Sequence, residues 1–196
     1  ISSDKLEIQR FNRKNVQKDV RRDTFTDEEW KLFHQAMRSY ASKKNCKDEA
    51  EYYNRQIIRN YVLILANTGM RTGELDQIRW EDLSDYKRII HEGVASSIVK
   101  IRVRWDTSKV RKDRELFCRE SVYFERLSEI SNYKAAKDFI FTAFKGNVIT
   151  SRQKSVFWHD VISLAKVKTT DRKLSFYSIR HYFVTQRWKA GVQLRD

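Results

Sequence analysis

Val99-Lys100-Ile101-Arg102-Val103-Arg104-Trp105 is where the hydrophobic period of this chain changes. Strict alternation predicts a β-strand with one buried face (Val99, Ile101, Val103, Trp105) and one basic face (Lys100, Arg102, Arg104). A polar turn from Asp106 to Lys112 leads to a second strand at about Arg114–Cys118, so the two should pair as a hairpin.

The sequence outside this hairpin reads as helix. Phe25-Thr26-Asp27-Glu28-Glu29-Trp30 carries a capping box, with Thr26 as cap, Glu29 three residues on, and Phe25 placed to staple onto Trp30. Trp30, Phe33, Met37 and Tyr40 then recur at helical spacing to about Ser42. A second helix is expected from near Asp48 to Asn67; Ile57, Ile58, Tyr61, Val62, Ile64 and Leu65 cover more than one of its faces, which places it in the core. A short helix near 73–79 precedes the hairpin. Helices at 121–131, at 151–166 behind the capping pair Thr150 and Gln153, and from Ser175 to Ala190 with Gly191 as its stop, follow it. The expected fold is α+β and mainly α-helical, with one small antiparallel sheet or hairpin.

Composition narrows the function. The chain has 196 residues, 40% of them apolar, with 11 Phe, 9 Tyr and 5 Trp, which is enough for a packed single domain. No apolar run reaches the roughly 20 residues of a membrane span. Cys46 and Cys118 supply neither a disulfide framework nor a zinc set, which fits a reducing, cytoplasmic compartment. His34, His91, His159 and His181 form no i,i+4 pair, so no metal or other cofactor is expected. Residues 1–22 are polar and charged, and read as an arm or linker. The opening Ile1-Ser2-Ser3-Asp4 has no initiator Met, suggesting a piece of a longer protein.

Charge is unevenly placed. Residues 24–97 carry a net −1 and residues 98–196 a net +12, within a total of +14. A one-sided basic face suits a polyanion partner; a solvated Lys/Arg surface is the plainer alternative. Three cationic positions stand out. Arg71 sits in Thr68-Gly69-Met70-Arg71-Thr72-Gly73-Glu74-Leu75, a tight interhelical corner in which Thr72 can cap and Glu74 can hold the guanidinium. Lys109 lies at the hairpin tip, flanked by Lys100, Arg102, Arg104, Arg111, Lys112 and Arg114. Tyr177 and Arg180 fall one helical turn apart on one face. Each also has a structural reading: a capping or salt-bridged arginine, an edge-strand lysine, and the polar side of a helix that buries Ile179 and Phe183.

Together the segments resemble the tyrosine recombinases, or phage-type integrases. Thr68–Leu75 with Ile78-Arg79-Trp80-Glu81-Asp82-Leu83 is similar to the family's first arginine box, and Ser108-Lys109 through Arg114-Glu115-Leu116 to its β-hairpin lysine segment. Ile179-Arg180-His181, within Ser175 to Gly191, is similar to the second box, where Tyr177 stands at the family's histidine position; His181 is not assigned that role. Thr24–Trp30 matches the usual entry to the catalytic domain, and the resemblance covers about residues 24–196.

The resemblance implies site-specific DNA recombination through a 3′-phosphotyrosyl intermediate, without metal. Arg71 and Arg180 would stabilise the charged phosphorane-like state, Glu74 would orient Arg71, and Lys109 would protonate the leaving 5′-oxygen. Tyr177 would hydrogen-bond a non-bridging oxygen. Lys100, Arg102, Arg104, Arg111, Lys112 and Arg114 would contact the backbone of double-stranded DNA. It further implies a bacterial or phage origin and recombinase protomers assembled on DNA as a tetramer. Residues 1–22 would be a linker from an N-terminal DNA-binding domain, and 23–196 a catalytic domain whose nucleophilic tyrosine comes after Gly191. The alternatives are a non-catalytic DNA-binding module or decayed integrase and, third, an RNA-binding protein.

Overall fold

The computed structural model describes residues 23–91, 94–108 and 111–192. The arm expected at residues 1–22 and the hairpin-tip Lys109 lie outside the described residues.

Among the described residues, six α-helices and a three-stranded sheet follow one another as α1 (Asp27–Tyr40), α2 (Glu49–Thr68), α3 (Thr72–Leu75), β1 (Leu83–His91), β2 (Val94–Val103), β3 (Arg114–Arg119), α4 (Val122–Ile130), α5 (Ser151–Ala165) and α6 (Phe176–Lys189). The fold is α+β and mainly helical, as the sequence led us to expect. The capping boxes at Thr26/Glu29 and Thr150/Gln153 both form and start α1 and α5. Phe25 meets Trp30 edge-on, with ring centroids 5.7 Å apart.

α2 is the spine. Ile57, Ile58, Tyr61, Val62, Leu63, Ile64 and Leu65 are all buried, because α6, α4 and β3 pack around it. α1 packs on α5, and an aromatic chain joins them to the start of α6: Phe33 to Trp158 at 5.3 Å, Trp158 to Phe176 at 5.0 Å, and Phe176 to Tyr61 at 5.8 Å. One element escaped the sequence reading. β1 pairs antiparallel with β2, so the sheet has three strands in the order β1-β2-β3. Its register slips between Ser84 and Lys87, where Asp85 adopts φ +52°, a left-handed conformation that Asp tolerates better than most residues.

Two boundaries differ from expectation. β2 stops at Val103 rather than running on to Trp105, because Thr107 bonds back to the Arg104 carbonyl through both its N–H (3.1 Å) and its hydroxyl (2.9 Å). Trp105 is consequently 57% exposed instead of buried. The helix expected near 73–79 is the single turn α3, and its cap is Arg71 rather than Thr72.

The joint that builds the site is Gly69. It ends α2 with φ +61°, and a Cβ there would lie 2.3 Å from the Phe183 ring. Only a residue without a side chain allows both the left-handed turn and the close approach of α6.

Candidate active site

Past Gly69 the chain turns into α3, and Glu74 closes the turn by accepting the Arg71 backbone N–H at 3.1 Å. The same carboxylate accepts Arg71 Nη1 at 3.0 Å. Glu74 is only 2% exposed, so its charge needs more than one partner. Arg114 supplies the rest from β3: Nη1 donates to Oε1 at 3.0 Å and Nη2 to Oε2 at 2.6 Å, a bidentate fork. Burial works to raise the Glu74 pKa, but the hydrogen bonds from Arg114 and Arg71 outweigh it and hold the carboxyl below its ordinary value. Arg114 also reaches the buried Ser108 hydroxyl at 3.4 Å, which ties the β2–β3 loop to this carboxylate.

Arg180 enters from α6, whose N-terminus is capped by Ser175. Its Nη1 donates to the Gly69 carbonyl, so the residue that lets α6 approach also fixes the guanidinium. Burial lowers the Arg180 pKa, and the neighbouring cation of Arg71, with that of Arg114, lowers it further. Two guanidiniums thus hold the carboxylate and a third, Arg180, lies within its electrostatic reach, which leaves a local excess of positive charge. Tyr177, one turn earlier, is partly exposed and meets the His181 ring edge-on at 4.8 Å.

The floor behind α3 is also polar. Lys154 of α5 is buried, donates to Asp76 at 2.5 Å, and lies 4.9 Å from the Tyr61 ring centroid. Tyr61 in turn donates its hydroxyl to the Thr72 carbonyl at 3.2 Å. These contacts brace α3 against α2 and α5, and nothing in the residue spacing announced them.

The structure therefore brings Arg71, Glu74, Arg180 and Tyr177 to one corner. It rearranges the expected basic face. Arg104, expected to point outward with Lys100 and Arg102, turns inward to the buried Asp82 and to the Gln77 carbonyl at 2.8 Å, because β2 has already ended. Arg114 also points inward, being opposite Val103 in register and two residues from Leu116, so its charge goes to Glu74. Lys100 stays on the outer face between Asp85 at 2.8 Å and Glu115 at 3.4 Å, and Arg102 meets Asp113 at 3.2 Å. Arg111 and Lys112 are exposed. Among the described residues no group of His, Cys, Asp and Glu is placed to hold a metal ion.

The fold has known counterparts. The XerH site-specific recombinase bound to difH substrate, in a pre-cleavage complex, superposes with a TM-score of 0.59 at 21% identity, over 85% of this chain and 43% of that one. A lambda integrase dimer bound to a COC′ core site gives 0.56 at 17% identity, over 90% and 56%. The Tn1549 transposon integrase in complex with circular intermediate DNA gives 0.56 at 16%, over 93% and 58%. The chain spans about half the length of these structures, and at such identities the likeness concerns the fold. No curated protein matches by sequence. Residues 25–196, which contain every helix and strand described above, match the phage integrase family, and the chain belongs to that family.

Proposed function

We propose that this domain cleaves and rejoins double-stranded DNA in site-specific recombination, as a tyrosine recombinase acting through a 3′-phosphotyrosyl intermediate. The carrying observation is the meeting of Arg71 and Arg180 over the Gly69 turn, each fixed by a contact on the protein side. Held guanidiniums stabilise the negative charge that gathers on a phosphate under attack, and they do so without reorganising during the step. Glu74 orients Arg71, and Tyr177 is the hydrogen-bond donor to a non-bridging oxygen. Lys109 is the general acid for the 5′-oxygen in this reading.

The nucleophile is not Tyr182. Its ring stacks on Trp30 at 4.8 Å and its hydroxyl donates to Asp27 at 3.2 Å, while burial and that carboxylate push its pKa up to about 12. Tyr177 flanks the arginines as a binding group rather than as the attacking tyrosine. Arg102, Arg111 and Lys112 are the outward cations assigned to the DNA backbone, with Lys100 beside them. The relatives were captured on DNA before cleavage, as a dimer on a core site, and as a lambda integrase tetramer on a Holliday junction, which supports protomers assembling on DNA here. No described helix is long and apolar enough to cross a membrane. The proposed setting is the cytoplasm of a bacterial cell, with the gene carried by the bacterium or a phage.

A non-catalytic DNA-binding module is the second reading, favoured by Tyr177 at the family's histidine position. One comparison separates the two. In the intact parent protein, Arg180→Lys keeps the charge and loses the planar fork. Cleavage of a nicked suicide duplex should fall about 100-fold or more, while DNA affinity changes by less than about threefold. Equal losses in both would make Arg180 a backbone anchor, and no cleavage by the unaltered parent would leave the binding module.

A further inference from the structure

Many arginines of this domain are tied to carboxylates: Arg55 to Glu51, Arg79 to Glu81, Arg104 to Asp82, Arg172 to Glu29. A different group is not. Arg38 of α1, Arg59 of α2 and Arg126 of α4 line one cavity of about 570 Å³. Among the described residues none of the three makes an ion pair. His34 shares the lining, and the one carboxylate there is Glu120, so the wall carries a net positive charge.

Arg59 is the informative member. Its Nη1 donates to Gln56 Oε1 at 3.3 Å, but its Nε–H is sealed from solvent and meets no acceptor among the described residues. Burial, then Arg126 and Arg38, make its cation less stable than usual. Burial, with Arg59 and Arg38, likewise favours neutral His34. Three helices thus hold three guanidiniums around one cavity with a single carboxylate among them. That arrangement is unfavourable in the empty protein and becomes favourable once an anion enters. Guanidinium forks match the oxygens of a phosphate better than a point charge does.

The cavity is separate from the Arg71–Arg180 corner. Arg59 precedes Gly69 by ten residues on α2, which is about 15 Å along the helix axis.

We propose that this cavity is a second oxyanion site, in which Arg38, Arg59 and Arg126 bind a phosphoryl group. The group is either a free phosphate or a backbone phosphate of nucleic acid. The test uses the 196-residue chain carrying Arg71→Gln and Arg180→Gln, so that the cleavage corner takes no part. Inorganic phosphate is titrated at fixed ionic strength, and binding is read by calorimetry and by the rise in Tm. Arg126→Gln and Arg38→Gln, at exposed positions on the rim, should each weaken phosphate binding about tenfold or more. Without phosphate both variants should be as stable as their parent or slightly more so, because repulsion is relieved. Phosphate binding unchanged in both variants, or absent from their parent, overturns the proposal. A duplex arm then identifies the source. If the double rim variant lowers the slope of log K against log salt by about 2, the occupant is a backbone phosphate; an unchanged slope assigns a free one.

Discussion

Replacing Arg114 by Gln separates two roles that one basic residue on a hairpin could have. The sequence placed it among the cations facing DNA. The structure gives it to Glu74, with both carboxylate oxygens engaged at 3.0 and 2.6 Å. Glu74 is 2% exposed and the Arg114 side chain 33%. Stranding a fully buried charge costs about 3–5 kcal/mol, but Arg71 still holds Glu74 and Arg114 is partly hydrated. The expected loss is therefore about 1–3 kcal/mol, in the range for leaving a buried acceptor short of its partner. For a domain of this size that is a fall in Tm of about 2–12 °C.

A double-mutant cycle in urea with Glu74→Gln isolates the pair. Arg114→Gln in the Glu74→Gln background should cost little, because a neutral amide no longer needs the fork. The coupling should reach about 1 kcal/mol or more. Affinity for duplex DNA should change less in Arg114→Gln than in Lys112→Gln, whose side chain is exposed. A coupling below about 0.3 kcal/mol, together with a DNA defect larger than that of Lys112→Gln, would refute the assignment of Arg114 to the carboxylate.

Three further outcomes follow from the same geometry. Gly69→Ala combines left-handed strain with a Cβ placed 2.3 Å from the Phe183 ring; it should destabilise the fold by about 2–4 kcal/mol in a urea titration and loosen the Arg180 anchor, whereas full stability would mean that α6 does not pack there. The folded pKa of Glu74 lies below its unfolded value, so its contribution is complete above about pH 4.3 and is lost as pH falls through the folded pKa. Glu74→Gln should accordingly flatten the acid limb of stability against pH, and an unchanged limb contradicts the buried ion pair. Duplex binding by the chain should weaken steeply with salt, by a slope of about −0.9 per phosphate contacted, and replacing Arg111 and Lys112 by Gln should lower that slope for every sequence tested; a flat titration removes DNA as the ligand.

Local chemistry made the helices legible. Thr26 with Glu29, Thr150 with Gln153, and Gly69 after a run of buried aliphatics are signals that act within four residues, and each starts or stops a helix where the sequence puts it. β1 was not legible, because Leu83–His91 has no clean alternation and is bent by the Asp85 bulge; its pairing comes from β2, not from its own pattern. Lys154 was equally hidden. A lysine inside a capped helix looks solvated until tertiary contact brings Asp76 and Tyr61 to it.

Arg114 is the instructive case, because the signal was present and pointed the other way from its charge. In β3 the residues Arg114, Leu116 and Cys118 share one face, and Leu116 and Cys118 face the core. Parity alone therefore directs Arg114 inward, at the strand end where a long side chain can still reach a polar partner. Glu74 is that partner, set forty residues earlier by a turn that also positions Arg71. Counting basic residues along a hairpin treats them as equivalent, but the pleat sorts them. Arg102 and Lys100 face out, where Asp113, Asp85 and Glu115 pair with them at the surface, and Arg114 faces in. The hairpin is thereby anchored to the carboxylate that orients Arg71, so the loop leading to Lys109 and the first arginine box share one fixed point. A change at Glu74 must disturb both, which no single-segment reading of the sequence contains.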